Sequence, residues 1–171
     1  MKLTITGFFA SILMASSLSA CGACSDETKL EIQMYGVARA PASATGDRDP
    51  QFQSYTVQSI VLNSAEGDVS LIDAPSTFKI VDRPQILLKR IADEWAGRTF
   101  TGLTVTFDAT VVGGDNDDAD LSFTLSAPVV ALTQTLLLEE NKGLNFTIKA
   151  VWANTIAGEA MTEPTFEIVA Q

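Results

Sequence analysis

Apolar and polar residues alternate along most of the chain, which is the pattern of strands with one buried and one solvated face. The clearest run spans residues 100–112, where Leu103, Val105 and Phe107 alternate with threonines. Many short strands with one polar face each predict an all-β fold, an antiparallel two-sheet β-sandwich of about eight or nine strands. The other predicted strands lie at 30–35, 55–62, 68–73, 78–81, 121–125, 130–138, 144–152 and 165–169.

Three stretches between these strands have a different composition. Residues 63–67 join two apolar runs through turn-forming residues and predict a hairpin. Pro84 suits the first position of a short helix over 85–95, which we favour; the alternative is that 85–89 continues as strand. Residues 38–53 are rich in proline, glycine and small side chains, so we expect a long loop, with disorder favoured over a binding role.

The first twenty residues have the build of a secretory signal peptide. Met1 and Lys2 form a basic start, an apolar run follows to Leu18, and Ser19 and Ala20 provide a small-residue cleavage site. A transmembrane anchor is the alternative. It is disfavoured because a helix needs roughly 20 predominantly apolar residues to cross a bilayer, and serines and threonines interrupt this run.

The four residues Leu18-Ser19-Ala20-Cys21 resemble the lipobox of bacterial lipoproteins. The resemblance implies cleavage before Cys21 and acylation of its thiol and amino group. Two or three acyl chains hold a protein stably at a membrane, since each buried methylene contributes about 0.8 kcal/mol. We therefore expect a signal-peptide helix over 1–20, a lipidated tether over 21–28 and a sandwich domain over 29–171.

The residue after the lipobox cysteine bears on location in this family. An aspartate there retains enterobacterial lipoproteins in the inner membrane. Gly22 stands there in this chain, so the resemblance favours a protein anchored in the outer membrane of the cell envelope.

Cys21 and Cys24 also form a Cys-x-x-Cys pair, which in thioredoxin-like proteins carries redox chemistry. That chemistry requires the pair to open a helix in an α/β unit, where the thiol pKa is lowered. The strand pattern downstream provides no such unit, so the redox alternative is disfavoured.

The chain is acidic, with a net charge of −10 from 21 acidic and 11 basic side chains. Removal of Lys2 with the signal peptide would make it about −11. This charge argues against nucleic acid as a partner, because Lys and Arg drive that binding. The chain has no histidine, which excludes Ser-His-Asp and Cys-His catalysis and His-ligated metals. We expect a protein that is not an enzyme and needs no cofactor.

An acidic turn at 113–120 is the one cluster with a candidate chemistry. Its carboxylates offer the oxygen ligands that calcium prefers. The EF-hand spacing is not met, and glycine and aspartate are also the ordinary residues of a hairpin turn. We favour a solvated turn and retain a weak Ca²⁺ site as the alternative. Its ligands would be Asp115, Asp117, Asp118 and Asp120.

The soluble part also resembles a group of uncharacterised bacterial lipoproteins whose domain is a carbohydrate-binding-like or transthyretin-like (Ig-like) β-sandwich. The matching stretches are 66–67, 78–81, 102–108 and 151–155. They are framework residues, and framework similarity carries no activity. Sugar binding would need exposed aromatic rings, whereas Trp152 alternates inward with Phe146 and is predicted to lie in the core.

These observations predict a membrane-anchored, non-catalytic cell-envelope lipoprotein with a structural or partner-binding role. Its partners would be the membrane, through lipid on Cys21, and an envelope protein or a glycan. The alternative is a carbohydrate- or calcium-binding module. A ligand module should present a concave patch of aromatics or carboxylates, and an interaction protein an exposed apolar patch or a free strand edge.

Overall fold

The computed structural model describes residues 26–38, 47–48, 52–114, 120–152, 155–156 and 163–171. The predicted signal peptide and Cys21 lie outside these ranges. Within them the chain forms strands and one 3₁₀ turn at Asp93–Trp95. The strands are β1 (Lys29–Ala38), β2 (Asp47–Arg48), β3 (Phe52–Asn63), β4 (Val69–Ser70), β5 (Ser76–Ile80), β6 (Gln85–Ile91), β7 (Thr99–Phe107), β8 (Thr110–Gly114), β9 (Asp120–Thr124), β10 (Val129–Leu137), β11 (Gly143–Trp152), β12 (Thr155–Ile156) and β13 (Thr165–Ala170).

Two sheets pack face to face around one core. The four-stranded sheet has the order β13-β11-β1-β6, and the seven-stranded sheet has the order β10-β7-β3-β8-β9, with β4 and β5 also paired to β3. A two-stranded ladder joins β2 and β12. The predicted all-β two-sheet sandwich is confirmed. The strands outnumber the predicted eight or nine because several are two-residue ladders and one predicted strand is divided.

One pairing differs from the predicted antiparallel arrangement. β1 and β11 run parallel over ten residue pairs, from Lys29↔Gly143 to Ala38↔Trp152. Alternation shows which face of a strand is buried, and that face is the same whether the neighbour runs parallel or antiparallel. The hydrophobic pattern therefore could not distinguish the two.

The helix predicted over 85–95 is wrong, and the strand alternative for 85–89 is confirmed. β6 pairs antiparallel with β1, and its register shifts between Ile32↔Leu88 and Gln33↔Ile86. The shift leaves Leu87 as the extra residue of a bulge, which places adjacent apolar residues in one strand. Adjacent apolar residues interrupt the strand period of two and match the spacing along one face of a helix. The pattern therefore predicted a helix where the chain forms a bulged strand.

The strand predicted at 100–112 is divided at Asp108 and Ala109 into β7 and β8. Both halves pair with β3. At the division, the Asp108 amide donates a 2.7 Å hydrogen bond to the Thr56 carbonyl. The Asp108 carboxylate accepts from the Thr110 amide at 2.9 Å and from the Gln58 side chain at 3.0 Å. An aspartate that bonds its own backbone two residues on is a turn-forming device.

The predicted hairpin through 63–67 is confirmed, since β4 pairs with the end of β3. Gly67 has a φ of 116°, a value that favours glycine. The loop predicted over 38–53 is only in part correct. Phe52 and Gln53 belong to β3 and the pair 47–48 forms β2, whereas 39–46 and 49–51 lie outside the described residues.

The chain enters the sandwich at Thr28, which is fully buried. Its amide donates to the Asp93 carboxylate at 2.6 Å, and its carbonyl accepts from the Ala92 amide at 2.9 Å. Its hydroxyl accepts from the Asn141 amide at 3.1 Å. These three bonds fix the entry point between the end of β6 and the turn that precedes β11.

The core contains a cluster of three aromatic rings from different strands. Phe107 lies 5.4 Å from Tyr55 and 5.3 Å from Phe166, measured between ring centroids. The Tyr55 hydroxyl donates to the Gln53 side-chain oxygen, and burial raises the Tyr55 pKa well above its usual value. The phenol therefore stays neutral in the folded protein.

Trp152 is buried in the core, as predicted. Its ring covers Gly36, which lies two residue pairs before it in the β1–β11 register. A Cβ atom built on Gly36 would lie 1.6 Å from Cη2 of Trp152. The absence of a side chain at Gly36 is therefore what makes room for the indole.

Candidate functional site

Most of the predicted site residues lie outside the described ranges. Cys21, Asp115, Asp117 and Asp118 are among them, and Asp120 is described only through its backbone pairing with Gly114 in β8–β9. Among the residues that the structure describes, no group of three or more Asp, Glu, Cys or His side chains could hold a metal ion. The acylation of Cys21 and the weak Ca²⁺ site stay predictions. The same described ranges contain no helix long and apolar enough to cross a membrane.

A groove of about 460 Å³ opens on the outer face of the four-stranded sheet. It is formed by outward-facing side chains of β1, β11 and β13, with one wall from the loop between β5 and β6. The lining residues are Gln33, Tyr35, Asp82, Pro84, Thr147, Lys149, Val169 and Gln171.

The floor of the groove follows from strand register. Gln33, Thr147 and Val169 are aligned across β1, β11 and β13. The Gln33 side-chain amide donates a 3.0 Å hydrogen bond to the Thr147 hydroxyl. Thr147 is only 7% exposed although it points away from the core. The floor is thus a fixed surface on three hydrogen-bonded strands, polar at Gln33 and Thr147 and apolar at Val169.

Tyr35 stands beside Lys149 in the next row, and both side chains line the groove. The Lys149 ammonium lies 3.9 Å from the Glu167 carboxylate. A 2.7 Å bond from the Gly36 amide to the Val81 carbonyl holds the loop of Asp82 next to Tyr35. Within the described residues, the Tyr35 hydroxyl and the Asp82 carboxylate have no hydrogen-bond or ion-pair partner. Both groups are therefore available to a ligand.

The outer edge of the same sheet is formed by β6. In the part of the chain that the structure describes, β6 pairs with β1 and has no strand on its other side. Ile86 is 52% exposed and Ile91 is 49% exposed on this strand. Lys89 pairs with Glu31 at 3.0 Å and Arg90 with Glu94 at 2.6 Å. The edge thus combines exposed apolar side chains with basic residues that form ion pairs on the surface.

A second cleft, of about 330 Å³, separates β10 from β13 where the two sheets meet. Its walls are mainly apolar, with Val129, Pro164 and Phe166 among them. Its one acidic side chain, Glu163, accepts hydrogen bonds from the Ser126 amide and hydroxyl at 2.8 and 3.1 Å. The Glu163 carboxylate is therefore already hydrogen-bonded within the protein.

Sequence reasoning did not find the groove or the β6 edge. Gln33 and Thr147 lie on the polar faces of correctly predicted strands, so their direction away from the core could be expected. Their adjacency could not, because the parallel register of β1 and β11 is invisible in the pattern. No family model, curated protein or solved structure matches the chain.

Proposed function

We propose that this chain is a membrane-anchored, non-catalytic lipoprotein of the cell envelope whose sandwich binds an extended segment of another envelope protein at the β6 edge. The lipobox resemblance at Cys21 supports the anchor and, with Gly22, an outer-membrane location. The observation that carries the binding role is the unpaired edge of β6 with two half-exposed isoleucines.

An unpaired edge strand offers a row of backbone donors and acceptors to an added strand. Such β-augmentation takes its affinity from main-chain hydrogen bonds and its specificity from alternate side chains. Ile86 and Ile91 provide apolar contacts on this edge. Lys89 and Arg90 are the charged residues with which natural edges limit uncontrolled pairing. This combination favours a selective partner over self-association.

The position of β6 suits a partner close to the membrane. Ala92, directly after β6, donates to Thr28, where the chain enters the domain. A tether over 21–28 could span at most about 3.3–3.6 Å per residue. The edge would therefore remain within a short distance of the lipid anchor, where other membrane-anchored proteins are concentrated.

The anchor is tested by Cys21→Ser. We expect this variant to move from the membrane fraction to the soluble fraction and to lose the mass of its acyl chains, because the thiol is the attachment point. Fractionation and intact-mass spectrometry measure both effects. Cys24→Ser is the matched control and should remain acylated and membrane-bound. Cys21→Ser protein that is still acylated and membrane-bound contradicts the lipoprotein proposal.

The binding edge is tested by crosslinking intact envelopes and isolating the protein with its partners. We expect the double variant Ile86→Asp/Ile91→Asp to reduce the crosslinked partner at least tenfold, about 1.4 kcal/mol, because it places charge on the docking edge. Val129→Asp/Leu137→Asp, at equally exposed positions of β10, is the control. Equal recovery with both double variants, or loss with the β10 variant alone, argues against the β6 edge. Thermal melting confirms that each variant is folded.

A further inference from the structure

We infer that the groove on the outer face of the four-stranded sheet is a binding site for a neutral saccharide, with Tyr35 as the ring on which a sugar packs. This site is separate from the β6 edge and does not depend on the lipid anchor. It gives the sandwich a second, small-molecule or glycan ligand.

The groove has the dimensions and the rigidity of a ligand site. Its volume of about 460 Å³ falls within the roughly 300–1,000 Å³ typical of such sites. Its floor consists of side chains on three paired strands, and the bond between Gln33 and Thr147 fixes their positions. A site that is already formed before binding loses little conformational entropy when the ligand arrives.

The lining selects for a ligand rich in hydroxyl groups. Six of the eight lining residues have hydrogen-bonding side chains. The amides of Gln33 and Gln171 both donate and accept, and the Asp82 carboxylate accepts. Each sugar hydroxyl likewise donates and accepts, so it can pair with any of these groups. An apolar ligand would cover the same groups without replacing their hydrogen bonds to water, at a cost in free energy.

The charges favour a neutral sugar over an acidic one. The chain carries a net charge of −10, and a carboxylate, Asp82, lines the groove. The one ammonium in the lining, that of Lys149, already lies 3.9 Å from Glu167. An anionic ligand would therefore meet a repulsive field on approach and little free positive charge on arrival.

Tyr35, partly buried on the outward face of β1, supplies the aromatic element of the groove. A tyrosine offers an apolar ring face together with a polar tip. Its hydroxyl has no partner among the described residues, and Lys149 stands beside it in the register. The C–H face of a sugar ring can pack on the tyrosine while its hydroxyls reach the polar groups around it.

The test is isothermal titration calorimetry on the full chain, in a detergent without a sugar head group. The neutral probes are maltohexaose, cellohexaose and chitohexaose, and hexagalacturonic acid is the anionic comparison. We expect at least one neutral probe to bind, and Tyr35→Ala to weaken it about tenfold, equivalent to about 1.4 kcal/mol. Gln171→Ala, at the exposed end of the chain, should weaken the same probe without affecting folding.

Lys142→Ala is the matched control, because Lys142 is exposed in the turn before β11 and does not line the groove. Its affinity for the probe should equal that of the unmodified protein. Three results would overturn the inference: no heat with any neutral probe up to its solubility limit, binding that survives both groove variants, or tighter binding of hexagalacturonic acid. None of them affects the Cys21 and β6 experiments, so the two proposals stand or fall separately.

Discussion

Gly36→Ala is expected to destabilise the folded domain by about 3 kcal/mol, the upper part of the range for overpacking a core. The added methyl group would lie 1.6 Å from the Trp152 ring, which is buried between the sheets and 2% exposed. Neither the Trp152 ring nor the β1–β11 ladder can move aside without losing packing contacts in the core. Urea denaturation followed by circular dichroism measures the loss as a lower midpoint.

Gly143→Ala is the matched control for this substitution. Gly143 is also a glycine of the β1–β11 pair, but its added Cβ would meet the Asn145 side chain at 3.7 Å, an ordinary contact distance. We expect little change in stability. Combining Gly36→Ala with Trp152→Ala should cost less than the sum of the two single losses, because the methyl group then occupies space that the indole has left. Full stability of the Gly36→Ala protein contradicts the proposed packing.

Phe107→Ala is expected to cost about 3–5 kcal/mol, the usual range for removing a buried aromatic ring. The substitution leaves a cavity between Tyr55 and Phe166, whose rings now lie 5.4 and 5.3 Å from that of Phe107. The same denaturation experiment measures the effect. Val129→Ala, at a position 54% exposed, should change stability by less than about 0.5 kcal/mol. Equal midpoints for the two variants would mean that the three rings do not form the core contact described.

The positions of most strands could be predicted because burial of one face imposes a period of two. The limits of that signal are visible at β6, where a bulge at Leu87 imitates a helical period, and at Asp108, where a side chain ends one ladder and begins another. The packing role of Gly36 could not be predicted, because it depends on contact with a tryptophan from a strand more than a hundred residues later.

The candidate site was less accessible to sequence reasoning than the fold. The groove joins Tyr35 of β1, Thr147 of β11 and Gln171, which directly follows β13. Each is an ordinary polar-face residue when considered alone. Only the order β13-β11-β1 and its register place them together, and neither is encoded in local periodicity.

The parallel pairing of β1 with β11 has a consequence for the order in which the protein is assembled. β1 is the first strand in the described part of the chain, yet Gln33 meets its partner Thr147 across 114 residues. Pairings this distant slow folding, because the long loop must close before the contact is gained. The four-stranded sheet cannot form completely until β11 has been synthesised. The side of β1 that pairs with β11 therefore has no neighbour while most of the chain is being made. A chain of this design therefore exposes one side of β1 until β11 is available to cover it.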